Sequence, residues 1–118
     1  MARHNHTGSI GENLAITYFI NKGHEILHTN WRHKNWEVDI ISSQNGILHF
    51  IEVKTRTSLK FGYPEENVDT KKIKYLINAA EEFLIIYPHW QRIQFDVLSI
   101  NMKEDNSVDY FLIDDVYL

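Results

Sequence analysis

Trp36-Glu37-Val38-Asp39-Ile40-Ile41 and Ile47-Leu48-His49-Phe50-Ile51-Glu52-Val53-Lys54-Thr55 are two β-prone runs joined through Ser43-Gln44-Asn45-Gly46. Asn-Gly between such runs is the strongest short-range hairpin signal, because both residues tolerate the positive φ of a tight turn. A two-residue turn sets Gln44 opposite Ile47. The same register carries Asp39 opposite Glu52 and Glu37 opposite Lys54. Side chains alternate along a strand, so these four charged groups should share one side of the sheet. A four-residue turn keeps that parity and slides the partners. A three-residue turn would send Asp39 and Glu52 to opposite faces.

Outward from the hairpin, residues 24–30 read as a third apolar strand. Ahead of them, Ser9-Ile10-Gly11-Glu12 has capping-box spacing. Ile10, Leu14 and Tyr18, with Ala15 and Phe19, then recur at helical spacing, and Lys22-Gly23 closes a helix over 9–22. Residues 56–64, with Gly62 and Pro64, read as a loop. A second helix begins near Asp69 or Thr70, buries Ile73, Ile77, Ala80 and Leu84, and stops before Pro88. Strands over 92–101 and 108–113 follow, separated by a turn at Lys103–Ser107. The order αβββαββ specifies an α/β fold, one mixed sheet flanked by helices. Residues 1–118 form a single domain on this reading, with 1–7 as a mobile terminus.

Composition narrows the function classes. The 118 residues are 43% apolar and 24% charged, ordinary values for one globular domain. Cysteine is absent, which removes disulfides, thiolate zinc sites and cysteine nucleophiles and suits a reducing cytoplasm. No apolar run reaches the roughly 18 residues of a membrane span, and Met1–His6 lacks an apolar signal segment. A net charge of −4 argues against bulk electrostatic coating of nucleic acid. Its distribution is uneven: residues 1–60 carry seven Lys/Arg against five Asp/Glu, whereas 61–118 carry five against eleven. A polyanion should therefore meet the first half and the Lys71–Lys74 cluster.

The carboxylates of the hairpin are the chemical signal. Opposed residues have Cβ atoms about 4.5–5.5 Å apart, and two carboxylates there repel by about 1 kcal/mol in water and more inside a protein. A strand otherwise made of Ile, Val and Phe gains nothing structurally from that arrangement. A divalent cation between the two converts repulsion to attraction, and hard oxygen donors favour Mg²⁺ or Mn²⁺ over zinc. Lys54 on the same face would orient a water or neutralise charge developing on a phosphate. The structural alternative is a solvated sheet face with Glu37–Lys54 as an ordinary cross-strand pair.

Taken with their neighbours, these residues resemble a known family. Gly8-Ser9-Ile10-Gly11-Glu12, Asn30-Trp31-Arg32, Glu37-Val38-Asp39-Ile40-Ile41, Phe50-Ile51-Glu52-Val53-Lys54-Thr55-Arg56, Phe61-Gly62-Tyr63-Pro64, Lys72 and Phe95-Asp96-Val97 follow the order of the YraN-like small bacterial proteins. That family resembles a branch of the PD-(D/E)-x-K nucleases and, more distantly, archaeal Holliday-junction resolvases. The resemblance implies a restriction-endonuclease-like fold, Asp39 and Glu52 as metal ligands assisted by the Val53 carbonyl, Lys54 as catalytic lysine and Glu12 as an additional acid. It implies a Mg²⁺- or Mn²⁺-dependent endonuclease acting on DNA, selective for structure such as a branched junction, and a homodimer if two symmetric cuts are made. Val38 replaces the proline of the superfamily name. Trp36 replaces a usual glycine and should narrow the space beside the site. Two other readings are a non-catalytic nucleic-acid-binding module on the same scaffold and protein capture by the acidic tail 104–118.

Arg32, Arg56, Lys60, Lys71, Lys72 and Lys74 are candidates for phosphate contacts, Arg56 foremost because it extends the charged face beyond Lys54. Glu12 has a competing role as the capping-box acid. The seven histidines read as surface or satisfied core residues rather than a zinc site. Trp31, Trp36 and Trp90 could stack on unpaired bases, although core packing is the commoner use and suits Trp90. Asp96 is a charge in a strand with no evident role.

Overall fold

In the computed structural model, residues 6–57 and 70–116 are described, with side chains over 9–57 and 71–116. The elements are α1 (His6–Asn21), β1 (Glu25–His33), β2 (Trp36–Gln44), β3 (Ile47–Arg56), α2 (Thr70–Ile86), β4 (Ile93–Met102) and β5 (Val108–Ile113). The αβββαββ order therefore holds. The strands lie in sequence order as one five-stranded sheet. β3 and β4 are parallel and α2 supplies the crossover between them, as a parallel pair requires. The other neighbours are antiparallel.

Each helix covers one face of the sheet. Phe50 and Ile41 face α2, joining Val38, Leu48, Leu76, Ala79, Ala80 and Phe83. Their chain neighbours Ile51 and Ile40 face α1, joining Ala15, Phe19, Leu98 and Ile100. Full burial of each Val, Leu, Ile or Phe among them is worth about 1.5–3 kcal/mol. The line of α1 against the sheet is Gly11, Ala15 and Phe19, so Leu14 and Tyr18 are only half-buried. In α2 the deepest line is Ile73, Leu76, Ala80 and Phe83, with Ile77 and Leu84 at its margin. The larger ring of Phe83 takes the centre, in edge contact with Phe50 at 5.6 Å.

The chain breaks fall where turn chemistry allows them. Gly23, at φ 94°, ends α1 in a Schellman motif, with His24 N–H donating to Phe19 O at 2.9 Å and Gly23 N–H to Ile20 O at 3.0 Å. The hairpin turn has Asn45 at φ 54° and Gly46 at φ 80°, the positive pair of a two-residue type I′ turn. After β4, Lys103 N–H closes on Ser107 O at 2.9 Å, and Asp105 Oδ1 accepts from the Ser107 N–H and hydroxyl.

One expectation about α1 is corrected. The helix starts at His6, ahead of Ser9, so Ser9 and Glu12 lie inside it and do not form a capping box. His6 and Thr7 are helical rather than part of a free terminus; residues 1–5 lie outside the described residues.

Asp96 acquires a role that its sequence did not supply. Its carboxylate, 2% exposed, accepts from His49 Nδ1 at 2.7 Å, Gln94 Nε2 at 3.0 Å and the Asp115 N–H at 3.0 Å. It ties β3, β4 and the segment after β5 together. His24 in turn bonds the Ser42 hydroxyl at 2.8 Å and meets His49 edge-on at 4.6 Å.

Candidate functional site

The β2–β3 ladder follows the two-residue register from Gln44–Ile47 to Ile40–Ile51 and then stops. One step further the strands separate. Asp39 turns its carboxylate into the opening, where Oδ2 accepts the Val53 N–H at 2.8 Å. A side chain thus fills the place of a ladder carbonyl. The disturbance reaches β1. Thr29–Ile40 and Trp31–Val38 pair on either side of it, but Asn30, between them, has φ 52°. Asparagine is among the few residues that tolerate this left-handed conformation. Alternation fails at the same place in β2: Val38 packs under α2 and Ile40 under α1, although they are two residues apart.

This opening forms one side of a cavity of about 430 Å³ beneath α2, lined by Glu37, Asp39, Glu52, Val53, Lys72 and Tyr75 together with Asn35 and Leu76. Three carboxylates therefore share one wall. Burial pushes the Asp39 carboxyl up to about 6 from an ordinary 3.8; the Val53 hydrogen bond opposes the rise, and Glu52, Glu37 and Glu12 add repulsion. Lys72 Nζ lies 3.7 Å from Glu52 Oε2. Glu12 approaches from α1, its Oε1 accepting Asn30 Nδ2 at 3.2 Å. Asn30 Oδ1 is buried with no hydrogen-bond partner among the described residues.

Gly11 brings Glu12 there. A Cβ on Gly11 would lie 2.8 Å from Thr55 Cγ2 and nearer still to Oγ1, so only glycine lets α1 approach β3 this closely. Thr55 faces α1, and by alternation Glu52 and Lys54 face α2. Lys54 is half-buried on that side but is not part of the cavity wall.

Other predicted residues are distributed around the cavity. Glu37 is the ion-pair partner of Arg32, directly opposite on β1 at 3.2 Å, which replaces the expected Glu37–Lys54 pairing. Opening of the ladder before that rung is the reason. Arg56 ends β3, and Lys71 and Lys72 are exposed in the first turn of α2. Trp36 packs its indole on the α2-side core, as Trp31 and Trp90 do, and meets the wall residue Tyr75. Lys60 and Phe61-Gly62-Tyr63-Pro64 lie outside the described residues.

Sequence reasoning missed Tyr75, Leu76 and Asn35 as wall residues and Asn30 as the partner of Glu12. For Asn30 a signal existed, since asparagine is disfavoured within strands. Tyr75 had none, because its place depends on how α2 crosses the sheet.

The donor chemistry suits a hard divalent cation: Asp39 and Glu52 line the cavity with carboxylate oxygens, and burial together with the neighbouring acids disfavours the charge on Asp39. Among the described residues no three His, Asp or Glu side chains already converge as a metal-binding group. Asp39 and Glu52, with Glu37 held by Arg32 beside them, are the carboxylates this cavity offers.

Residues 11–100 match the sequence profile of the "Uncharacterised protein family UPF0102". The chain is 37% identical over 112 residues to a UPF0102 protein of Flavobacterium psychrophilum, covering 94% of each chain. It is 42% identical over 103 residues to one of Caldicellulosiruptor bescii, covering 86% of this chain and 87% of the other. Over 94 residues it is 45% identical to one of Chlorobium phaeobacteroides, with 79% and 75% covered. The matched span runs from Gly11 at the α1–β3 contact through β4, and the chain belongs to the UPF0102, or YraN, family.

Proposed function

We propose that this protein is a metal-dependent, structure-selective DNA endonuclease, with branched junctions as the candidate substrate. The observation that carries the reading is the shared wall of Asp39 and Glu52 at the point where the β2–β3 ladder opens. Asp39, Glu52 and the Val53 carbonyl would hold Mg²⁺ or Mn²⁺, which supplies charge neutralisation at the phosphate. Hydrolysis requires water to attack phosphorus while the opposite P–O bond breaks. Lys54, facing α2 beside Glu52, would orient that water or offset the charge developing on phosphate oxygens. Glu12, reaching the opening from α1, is an additional acidic group.

Arg56, Lys71 and Lys72 would meet the sugar–phosphate backbone; Arg32, held by Glu37 at 3.2 Å, and Lys72, at 3.7 Å from Glu52, would exchange a carboxylate partner for phosphate. Two symmetric cuts in a junction would require two copies of the chain. A non-catalytic binding module is disfavoured by the acids themselves, which without a cation repel phosphate from this cavity.

The test is incubation with branched and linear DNA in Mg²⁺ or Mn²⁺. Cleavage should depend on the metal and fall at least a hundredfold in Asp39→Asn and Lys54→Ala, an order of magnitude typical of lost electrostatic groups. Calorimetric titration should register Mn²⁺ binding to the wild type and a large loss in Asp39→Asn. Cleavage that persists in either variant refutes this mechanism.

A further inference from the structure

We infer that the substrate carries unpaired nucleotides beside the phosphate that is cut, and that Tyr75 is the platform on which one such base stacks. Tyr75 lines the cavity with Asp39 and Glu52, yet 61% of it is exposed. Its ring meets Trp36 edge-on, centroids 5.1 Å apart at 80°. Trp36 is itself packed against the core under α2, so the phenol has a rigid prop rather than a mobile neighbour. An exposed ring with a fixed neighbour offers its remaining surface to a planar ligand.

The surrounding charge fits a nucleotide strand. Lys71 and Lys72 precede Tyr75 by four and three residues, one helical turn away, and Lys74 adjoins it; all three are exposed. Cations that follow a phosphate backbone and an aromatic ring that accepts a base are the two parts of single-strand recognition. In continuous duplex both faces of each base are already stacked, so Tyr75 could gain nothing there. At a fork, flap or junction an unpaired base is available, and stacking it would bring the adjoining phosphate to the acid-lined wall. This inference rests on the nucleic-acid reading of the cavity and extends it to the class of structure recognised.

The experiment measures binding separately from cleavage. In the Asp39→Asn background, fluorescence anisotropy compares continuous duplex with duplex of the same length ending in a splayed fork. The fork should bind about tenfold tighter, within the range that one stacked base provides. Adding Tyr75→Ala should reduce the preference below about threefold, whereas Tyr75→Phe should retain it. Equal binding of fork and duplex, or a preference unchanged in the Tyr75→Ala variant, overturns the inference. Wild-type cleavage of both DNAs at equal rates also overturns it, while leaving the endonuclease proposal standing. A Tyr75-dependent fork preference without cleavage in Mg²⁺ or Mn²⁺ supports the inference and refutes the endonuclease proposal.

Discussion

Asp39 is held in a position unfavourable to its own charge. Its carboxyl stands at about 6 against an ordinary 3.8, chiefly through burial and then through neighbouring acids. A carboxyl raised in the folded state leaves stability intact below the unfolded value and removes it as pH rises through the folded one. The metal-free protein should therefore lose stability between pH 4 and 7, relative to a variant without this group. Asp39→Asn keeps an oxygen that can accept the Val53 N–H and removes the charge. With a chelator present, it should exceed the wild type at pH 8 by about 2 kcal/mol. Each tenfold change in proton affinity contributes about 1.4 kcal/mol, and the weaker neutral hydrogen bond takes back part of the gain. The advantage should vanish at pH 4. Thermal unfolding at both pH values checks this; a variant no more stable than wild type at pH 8 would mean that the acids impose no strain. A residue that weakens its own fold is a recognised signature of a functional site.

At the scale of elements, the approach of α1 to β3 decides whether Glu12 reaches the opening. Helix propensity alone favours alanine over glycine at position 11 by about 1 kcal/mol. The contact with Thr55 reverses the sign, since a Cβ there would meet the γ atoms of a β-branched side chain. Gly11→Ala should destabilise the protein by about 1–3 kcal/mol through overpacking and draw Glu12 away from Asn30. Combining it with Thr55→Ala should recover most of the loss, a non-additivity that denaturant unfolding of the four proteins in a double-mutant cycle would reveal. Additive effects would show that the two residues do not define the approach. Similar reasoning applies to β5. The acidic tail 104–118 suggested for protein capture includes the fifth strand, paired with β4 from Met102–Val108 to Val97–Ile113. Deleting it would remove part of the sheet.

Across the whole molecule, the buried Asp96 joins parts distant in sequence. Burial alone would push its carboxyl up; hydrogen bonds from His49, the Asp115 N–H and Gln94 outweigh that and hold it below the usual 3.8. A depressed carboxyl contributes stability that is present above the unfolded value and lost as pH falls through the folded one. Asp96→Asn should destabilise the protein at pH 7 by about 1–3 kcal/mol, because three buried or part-buried hydrogen bonds lose their charged acceptor. It should also flatten the decline of stability below pH 4. Urea unfolding across pH 2–7 distinguishes this from a silent replacement, in which both curves would superimpose.

The sequence alone determined the element order and placed a tight turn at Asn45-Gly46, because each depends on periodicity or turn chemistry within a few residues. Among the turn lengths it left open, the structure selects the two-residue one and its register as far as Ile40–Ile51. It also singled out the acids of the hairpin, since charge in an apolar strand is visible without coordinates. Only the tertiary structure decided where the ladder opens, that Glu37 pairs with Arg32, that Tyr75 stands at the cavity and what Asp96 binds. Those outcomes depend on how α1, α2 and the sheet meet across long stretches of chain. Close packing between distant segments fixes them, and no local pattern of residues encodes that packing by itself.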